Sequence, residues 1–246
     1  MDRIIYTAMS GAASAMNRQQ VLANNLANVS TNGFRAEMAT YRAVPVRGDG
    51  ASTRTMALEA TAGHLDTPGA MTTTGRNLDV AAQGNAYFAI QGLDGVEAYT
   101  RAGSLQVSST GALVGHAGLP MLDTGGAPIN MPANAQVAIA TDGTVTGKVS
   151  GQPQQLLGRL KLVTPNADLK LQRGDDGLFR SLDSEPLPQD PQATLADGTL
   201  EGSNVNPVEA MVGMIAVARQ FEVQMRLLQN AEKNDQSAMQ LLGLNG

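Results

Sequence analysis

The stretch Gln19-Gln20-Val21-Leu22-Ala23-Asn24-Asn25-Leu26-Ala27-Asn28-Val29-Ser30-Thr31-Asn32-Gly33-Phe34 decides how this chain is read. Leu22, Leu26 and Val29 recur at helical spacing, while Asn24 and Asn28 stand one turn apart on another face. Asparagine is a mediocre helix former because its amide competes for nearby backbone groups. Between Arg3 and Arg35 the only charged residue is Arg18. A solvated helix normally carries Lys and Glu on its outer face, so uncharged amides and hydroxyls all round predict partners on more than one side.

Working outward, Ile5, Ala8, Ala12, Ala15, Gln19, Leu22, Leu26 and Val29 alternate spacings of three and four, a heptad seam with one polar interruption. The spacing predicts a helix over 4–29, about 40 Å long at about 1.5 Å per residue. The first half of the seam is mainly alanine, which buries too little area to hold a free helix together. Ser30-Thr31-Asn32-Gly33 ends the helix, Asn-Gly supplying the left-handed conformers that termination favours. At the far end Pro207 opens a second helix, with Asn206 as cap. Met211, Met214, Ala218, Phe221, Met225 and Leu228 form its expected seam, with the same phase running through Glu232 and Asp235 to Met239 and Leu242. Methionine suits such a seam, since its flexible thioether fills slightly different holes.

Between the ends the texture changes. Residues 35–70 read as an extended linker with short strands. From Met71 to Gly202, short alternating runs are divided by turns: Leu78–Val80, Ala86–Ile90, Glu97–Thr100, Ser104–Val107, Gln136–Ile139, Thr144–Val145 and Leu160–Val163. Asp94-Gly95, Asp142-Gly143, Asp176-Gly177 and Asp197-Gly198 are hairpin turn signals between them. Asp183 to Pro191, with three prolines, reads as a surface loop. The fold class is therefore α+β: long N- and C-terminal helices around a central antiparallel β-rich, partly barrel-like domain, with parts at 1–34, 35–70, 71–202 and 203–246.

Composition narrows the function classes. The formal charge is −5 with no dense basic cluster, which argues against nucleic-acid binding. Cysteine is absent, excluding disulfides and thiolate metal sites. No apolar run approaches the roughly 20 residues of a membrane span. Ala13-Ser14-Ala15 mimics a signal-peptidase site, but Asp2 cancels Arg3, polar residues break the apolar run, and the helical phase continues through it. His64 and His116 are the only histidines and sit in no metal-ligand pattern; there is no G-x-S-x-G elbow and no P-loop. Asp175 and Asp176 with Glu185 could be imagined as a glycosidase pair, yet Asp-Asp-Gly is far more often a turn. No cofactor is expected. Asn28-Val29-Ser30 matches a glycosylation sequon inside a helix and is read as coincidence.

Three sets of residues carry a family resemblance. Ala23 to Arg35 resembles the N-terminal signature of bacterial flagellar rod and hook proteins, and Gly202-Ser203-Asn204-Val205-Asn206-Pro207-Val208-Glu209 with the following heptads resembles their C-terminal motif. Gly75-Arg76-Asn77-Leu78-Asp79-Val80-Ala81 and Tyr99-Thr100-Arg101-Ala102-Gly103 are similar to their shared β domain. The opening Met1-Asp2-Arg3, the Arg42–Val46 segment and Gln172 to Arg180 resemble the proximal-rod branch more than the distal-rod or hook branches.

The resemblance implies a structural, non-enzymatic subunit of the basal-body rod. It would be exported by the flagellar type III apparatus without a cleaved signal and would assemble with copies of itself and other rod proteins across the periplasm. The terminal helices would pack as a coiled coil in the inner tube, with the β domain outside. The expected assembly interface is Leu22, Asn24, Asn25, Leu26, Asn28, Val29, Asn204, Asn206, Met211, Met214, Ala218, Phe221, Met225 and Leu228. Asn24, Asn25 and Asn28 read as a polar interlock that sets register between neighbouring helices, against the plainer reading of an ordinary helix end. A secreted β-rich adhesin is the competing class; it would need a signal peptide and would leave the paired terminal heptads without a use.

Overall fold

The computed structural model describes residues 2–45, 55–166, 169–174, 176–182 and 185–243. Two compact units emerge, and the chain passes between them at 27/28, 36/37, 64/65 and 205/206. The helical unit takes Met1–Ala27, Glu37–His64 and Asn206–Gly246; the β-rich unit takes Asn28–Ala36 and Leu65–Val205.

In the helical unit, α1 (Asp2–Ala27) and α2 (Pro207–Gly243) pack on each other, and a hairpin of β1 (Glu37–Pro45) and β2 (Thr55–His64) packs on α1. The helices run antiparallel. A Cβ at Gly213 would lie 3.2 Å from Leu22, and one at Gly11 would lie 3.0 Å from Gln224, so stepping back along α1 steps forward along α2. Asn206 caps α2, its Oδ1 accepting from the amides of Val208 (3.1 Å) and Glu209 (3.3 Å), and Pro207 follows where no amide is needed. The hairpin pairs Glu37 with His64 through to Pro45 with Thr55. A two-stranded ribbon is marginal alone, and here Tyr41 anchors it by donating to the Ser14 carbonyl, 3.2 Å.

The β-rich unit holds β3 (Met71–Thr73), β4 (Val80–Ala82), β5 (Tyr87–Gln91), β6 (Glu97–Thr100), β7 (Gln106–Val107), β8 (Leu113–Val114), β9 (Gln136–Ile139) and β10 (Thr144–Lys148). It continues with β11 (Gln155–Arg159), β12 (Leu162–Val163), β13 (Leu171–Arg173), β14 (Phe179–Ser181), β15 (Leu195–Asp197) and β16 (Thr199–Glu201). Its largest sheet has the order β12-β5-β6-β14-β13, beside a three-stranded sheet β11-β10-β9 and several two-stranded pairs. All pairings are antiparallel and, among the described residues, no sheet closes on itself.

The apolar run Ala86–Ile90 makes β5 a strand buried on both faces. Phe88 and Ile90 enter one cluster with Leu105, Leu113, Met121, Leu160 and Leu195. Tyr87 and Ala89 enter another with Tyr99, Val163, Phe179 and Leu187. Lys161 pairs with Glu97 at 2.7 Å, Glu97 accepts from the Tyr99 hydroxyl at 2.8 Å, and Tyr99 in turn accepts from the Leu187 amide at 2.6 Å. That chain draws Leu187 into the core, so the proline-rich stretch is a surface loop only in part.

Three of the four Asp-Gly signals close hairpins, joining β5 to β6, β9 to β10 and β13 to β14. The fourth does not. At Asp197-Gly198 the chain continues from β15, paired with β4, into β16, paired with β3. Gly198 is a kink that moves one extended segment between two partners, its φ of 57° a value that favours glycine. Asp175 and residues 183–184, which figured in the sequence reading, lie outside the described residues.

Candidate assembly interface

α1 has three distinct faces. The first is the expected seam: Ala8, Ala12 and Ala15 are buried, and Ile5, Gln19, Leu22 and Leu26 are half-buried. The Gly213 approach puts Leu22 on the side of α2. The second meets the hairpin, where Ser10 Oγ donates to the Ala57 carbonyl at 3.1 Å. Asn25 lies on this side too: its Nδ2 donates to the Glu37 carbonyl at 2.9 Å and its Oδ1 accepts from the Glu37 amide at 2.8 Å. The third face is Tyr6, Met9, Ala13, Met16, Gln20, Ala23 and Ala27, again alternating spacings of three and four, and every one of these residues is exposed. It carries no charge, and Met16 is 60% exposed. An uncharged, exposed heptad stripe is the signature of a helix face that another helix covers.

On α2 the covered seam lies one residue from where the sequence placed part of it. Ala210, Val217 and Ala231 are buried, with Met214, Phe221, Gln224 and Leu228 half-buried in the same heptad phase. Met214, Phe221 and Leu228 thus belong to the internal seam, whereas Met211, Ala218 and Met225 are exposed. Val208, Val212, Ile215, Val223 and Leu227 are exposed as well. By the antiparallel register Asp2 stands level with about Lys233, so the last turns of α2 run beyond the start of α1.

The remaining expected residues divide. Asn204 belongs to the β-rich unit, and its amide is fully used there: Oδ1 accepts from the Ala36 amide at 2.7 Å, and Nδ2 donates to the carbonyls of Leu65 (3.0 Å) and Thr67 (2.9 Å). Asn28, in the turn after α1, accepts from the Thr31 amide and hydroxyl at 3.1 Å each. Asn24, Asn28 and Val29 are half-buried. The amides of Asn25, Asn204 and Asn206 therefore serve the chain's own backbone.

Beside Asn204 lies a site the sequence reading did not assemble. Glu201 is buried and takes Arg35 Nη1 on Oε1 at 2.8 Å and Arg101 Nε on Oε2 at 2.8 Å, with Arg101 Nη2 also on Oε2. The Gly69 amide adds a further bond to Oε1 at 3.0 Å. Arg101 spends its other donors on the carbonyls of Ala82, Gly84 and Ala86. Its guanidinium also stands 5.6 Å from the Tyr87 ring centroid. Burial raises the Tyr87 hydroxyl's pKa, with the Arg35 charge pulling the other way. Gly33 completes the arrangement: its amide donates to the Glu201 carbonyl at 2.8 Å, and its φ is 69°. A Cβ there would lie 2.3 Å from the Arg101 carbonyl carbon, so the backbone approach excludes a side chain. α1 ends at Ala27, ahead of the expected stop at Asn32-Gly33, and Gly33 instead serves to bring Arg35 to Glu201. The signal for this site was present as isolated charges in otherwise uncharged motifs at Arg35, Arg101 and Glu201.

Comparison with known proteins adds family membership. Residues 5–35 match the flagella basal body rod protein family, 81–147 the D1 domain of flagellar hook protein FlgE/F/G, and 196–241 the C-terminal region of flagellar basal body rod FlgEFG proteins. The flagellar basal-body rod protein FlgF of Salmonella typhimurium is 45% identical, covering 100% of both chains, and that of Escherichia coli is 46% identical, again over 100% of both. The chain belongs to the FlgF family of flagellar basal-body rod proteins. The flagellar basal-body rod protein FlgG of Bacillus subtilis is 31% identical over 95% of this chain and 96% of its own. The first and last family matches end and begin on the Arg35 and Glu201 sides of the buried triad, so the FlgF-family end motifs serve both the helices and this site.

Proposed function

We propose that this chain is a structural, non-catalytic subunit of the bacterial flagellar rod, in its proximal segment, and that it assembles with copies of itself and with other rod proteins. The observation that carries the reading is the pair of uncovered, largely apolar helix faces, Tyr6 to Ala27 on α1 and Val208 to Met225 on α2. In the assembly, 1–34 and 203–246 form a coiled coil in the inner tube, 35–70 links, and 71–202 stands outside it. Met211, Ala218 and Met225, with Asn24 and Asn28, are the interface residues best suited to meet a neighbour, and Leu22, Leu26, Met214, Phe221 and Leu228 shape the pair that presents them. The proximal assignment rests on resemblance to FlgF over FlgG.

Export through the flagellar type III apparatus without a cleaved signal suits the same features. An alanine seam makes a helix weak enough to travel unfolded and to order on arrival, at a cost of about 2–5 kcal/mol that assembly contacts offset. Ala12 and Ala15 are buried within one continuous α1, so cleavage after Ala15 would remove half of the helix that packs on α2.

The test is genetic. Deleting the gene stops swimming and leaves basal bodies without a complete rod. Restoring it with Asn24→Ala and Asn28→Ala together leaves the β-rich unit folded by circular dichroism but swimming impaired on soft agar. Normal swimming by the double mutant removes the asparagines from the interface; normal swimming by the deletion strain removes the rod assignment.

A further inference from the structure

All four points at which the chain passes between its two units lie close in sequence to one hydrogen-bonded node inside the β-rich unit. The segment that follows α1 enters through Gly33, held by the Glu201 carbonyl, and Arg35, held by the Glu201 carboxylate. It leaves for the hairpin through Ala36, whose amide is held by Asn204 and whose carbonyl accepts from the Leu65 amide at 2.9 Å. The returning strand is held at Leu65 and Thr67 by the Asn204 amide, at Thr67 again by Arg35, and at Gly69 by Glu201. The last segment supplies Glu201 and Asn204 themselves, and the Asn204 backbone N–H donates to the Phe34 carbonyl at 3.2 Å before the chain leaves for α2. Arg173 lies over the Phe34 ring at 4.3 Å, closing the node against β13.

Chain connectivity gives this arrangement a mechanical meaning. A force applied to α1, to the hairpin or to α2 reaches the β-rich unit along these four covalent strands. Untied, each strand would take its own load and peel away one bond at a time. Tied through Glu201 and Asn204, a pull on one is shared by the others, and several bonds must break together. Unfolding under force is governed by the rate of that concerted break rather than by equilibrium stability.

We propose that the Glu201–Asn204 node distributes torque between the helical and β-rich parts of the subunit, with Asn204 positioning three of the four strands. The proposal rests on the rod reading. It separates from that reading because it concerns performance under load rather than assembly.

The experiment uses the full chain in cells lacking the native copy. Asn204→Ala removes side-chain bonds to Ala36, Leu65 and Thr67 without leaving a buried charge unpaired; Asn204→Asp, nearly the same shape, keeps the acceptor for the Ala36 amide and loses the donors. Hook–basal bodies are counted by electron microscopy after detergent extraction, and single motors are followed by a bead on a filament stub in media of rising viscosity. The expected result is a wild-type count of basal bodies, wild-type rotation at low load, and a several-fold shorter time to failure at high load, at least as great for Asp, whose second carboxylate oxygen faces the Leu65 and Thr67 carbonyls, as for Ala. Motors of both variants that last as long as wild type at every load overturn the proposal. So does a loss of basal bodies in both variants, since the node would then serve folding or assembly. Complete basal bodies in the deletion strain would instead overturn the rod reading.

Discussion

Glu201→Gln lowers the stability of the β-rich unit by about 3–5 kcal/mol, the cost of removing one partner from a buried ion pair. The substitution keeps the side chain's shape and removes its charge. Arg101 retains the carbonyls of Ala82, Gly84 and Ala86, but the two buried arginines lose the carboxylate that both of them pair with. With domain stabilities of about 5–15 kcal/mol, that is a large part of the total. For a unit of this size it corresponds to a fall in melting temperature on the order of 10 °C. Thermal unfolding of the purified chain, followed by circular dichroism in the β-sheet region, measures it. The comparison is Arg180→Gln, which breaks the more exposed pair with Asp176 at 2.7 Å and costs less than about 1 kcal/mol. Equal shifts for the two variants would show that the triad contributes no more than a surface pair.

The second large effect falls on assembly and spares folding. Met211→Glu combined with Ile215→Glu changes two residues that are 51% and 57% exposed. The isolated chain should change stability by no more than about 0.5 kcal/mol per site, as surface substitutions usually do. On the proposed assembly the same positions are covered in the rod, where each buried carboxylate without a partner costs several kcal/mol in every subunit. Swimming on soft agar falls to the level of the deletion strain while export of the variant continues. A variant that swims normally places this face in solvent in the finished rod.

These effects show where the sequence was readable. The α1 seam was legible from Ile5 to Leu26 as an unbroken alternation of spacings of three and four, although Tyr6, Met9, Ala13 and Met16 keep a second apolar phase beside it. The α2 seam was displaced in half its positions because Met211 and Met225 drew the phase away from Ala210 and Gln224, taking Ala218 with them in place of Val217. Helices that meet through Ala8, Ala12 and Ala15 approach closely, and close approach favours the small Ala210 over Met211, whereas Val217 is buried beside the smaller, exposed Ala218. Met211 and Met225 were left outside. The continuous run Ala86–Ile90 and three of the Asp-Gly turns declared themselves through strand and turn chemistry, whereas Asp197-Gly198 has the same local signal in a strand that changes partners.

The β1–β2 hairpin had weak markers. Its side chains are mostly Ala, Thr and Met, alternation of burial runs only from Glu37 to Arg42, and a bulge falls between Thr40 and Tyr41. Neither can a sequence show whose backbone an amide will bind. Asn25 and Asn204 looked like contacts to a neighbour, and each is spent on the chain's own strands. The Arg35–Glu201–Arg101 triad is harder still: its members are far apart in the chain, and a lone charge in a glycine-rich motif looks like a surface residue until the fold buries it.

Because the chain contains no cysteine, one introduced thiol reports on one place. The most direct test of the account is the reactivity of Met16→Cys and Met211→Cys, on the uncovered faces of α1 and α2, toward a maleimide in the free protein and in purified hook–basal bodies. The account predicts rapid labelling of both in the free chain and protection of both in the basal body until the rod is dissociated. Labelling at the free rate in intact basal bodies, or absence of the chain from them, would contradict it.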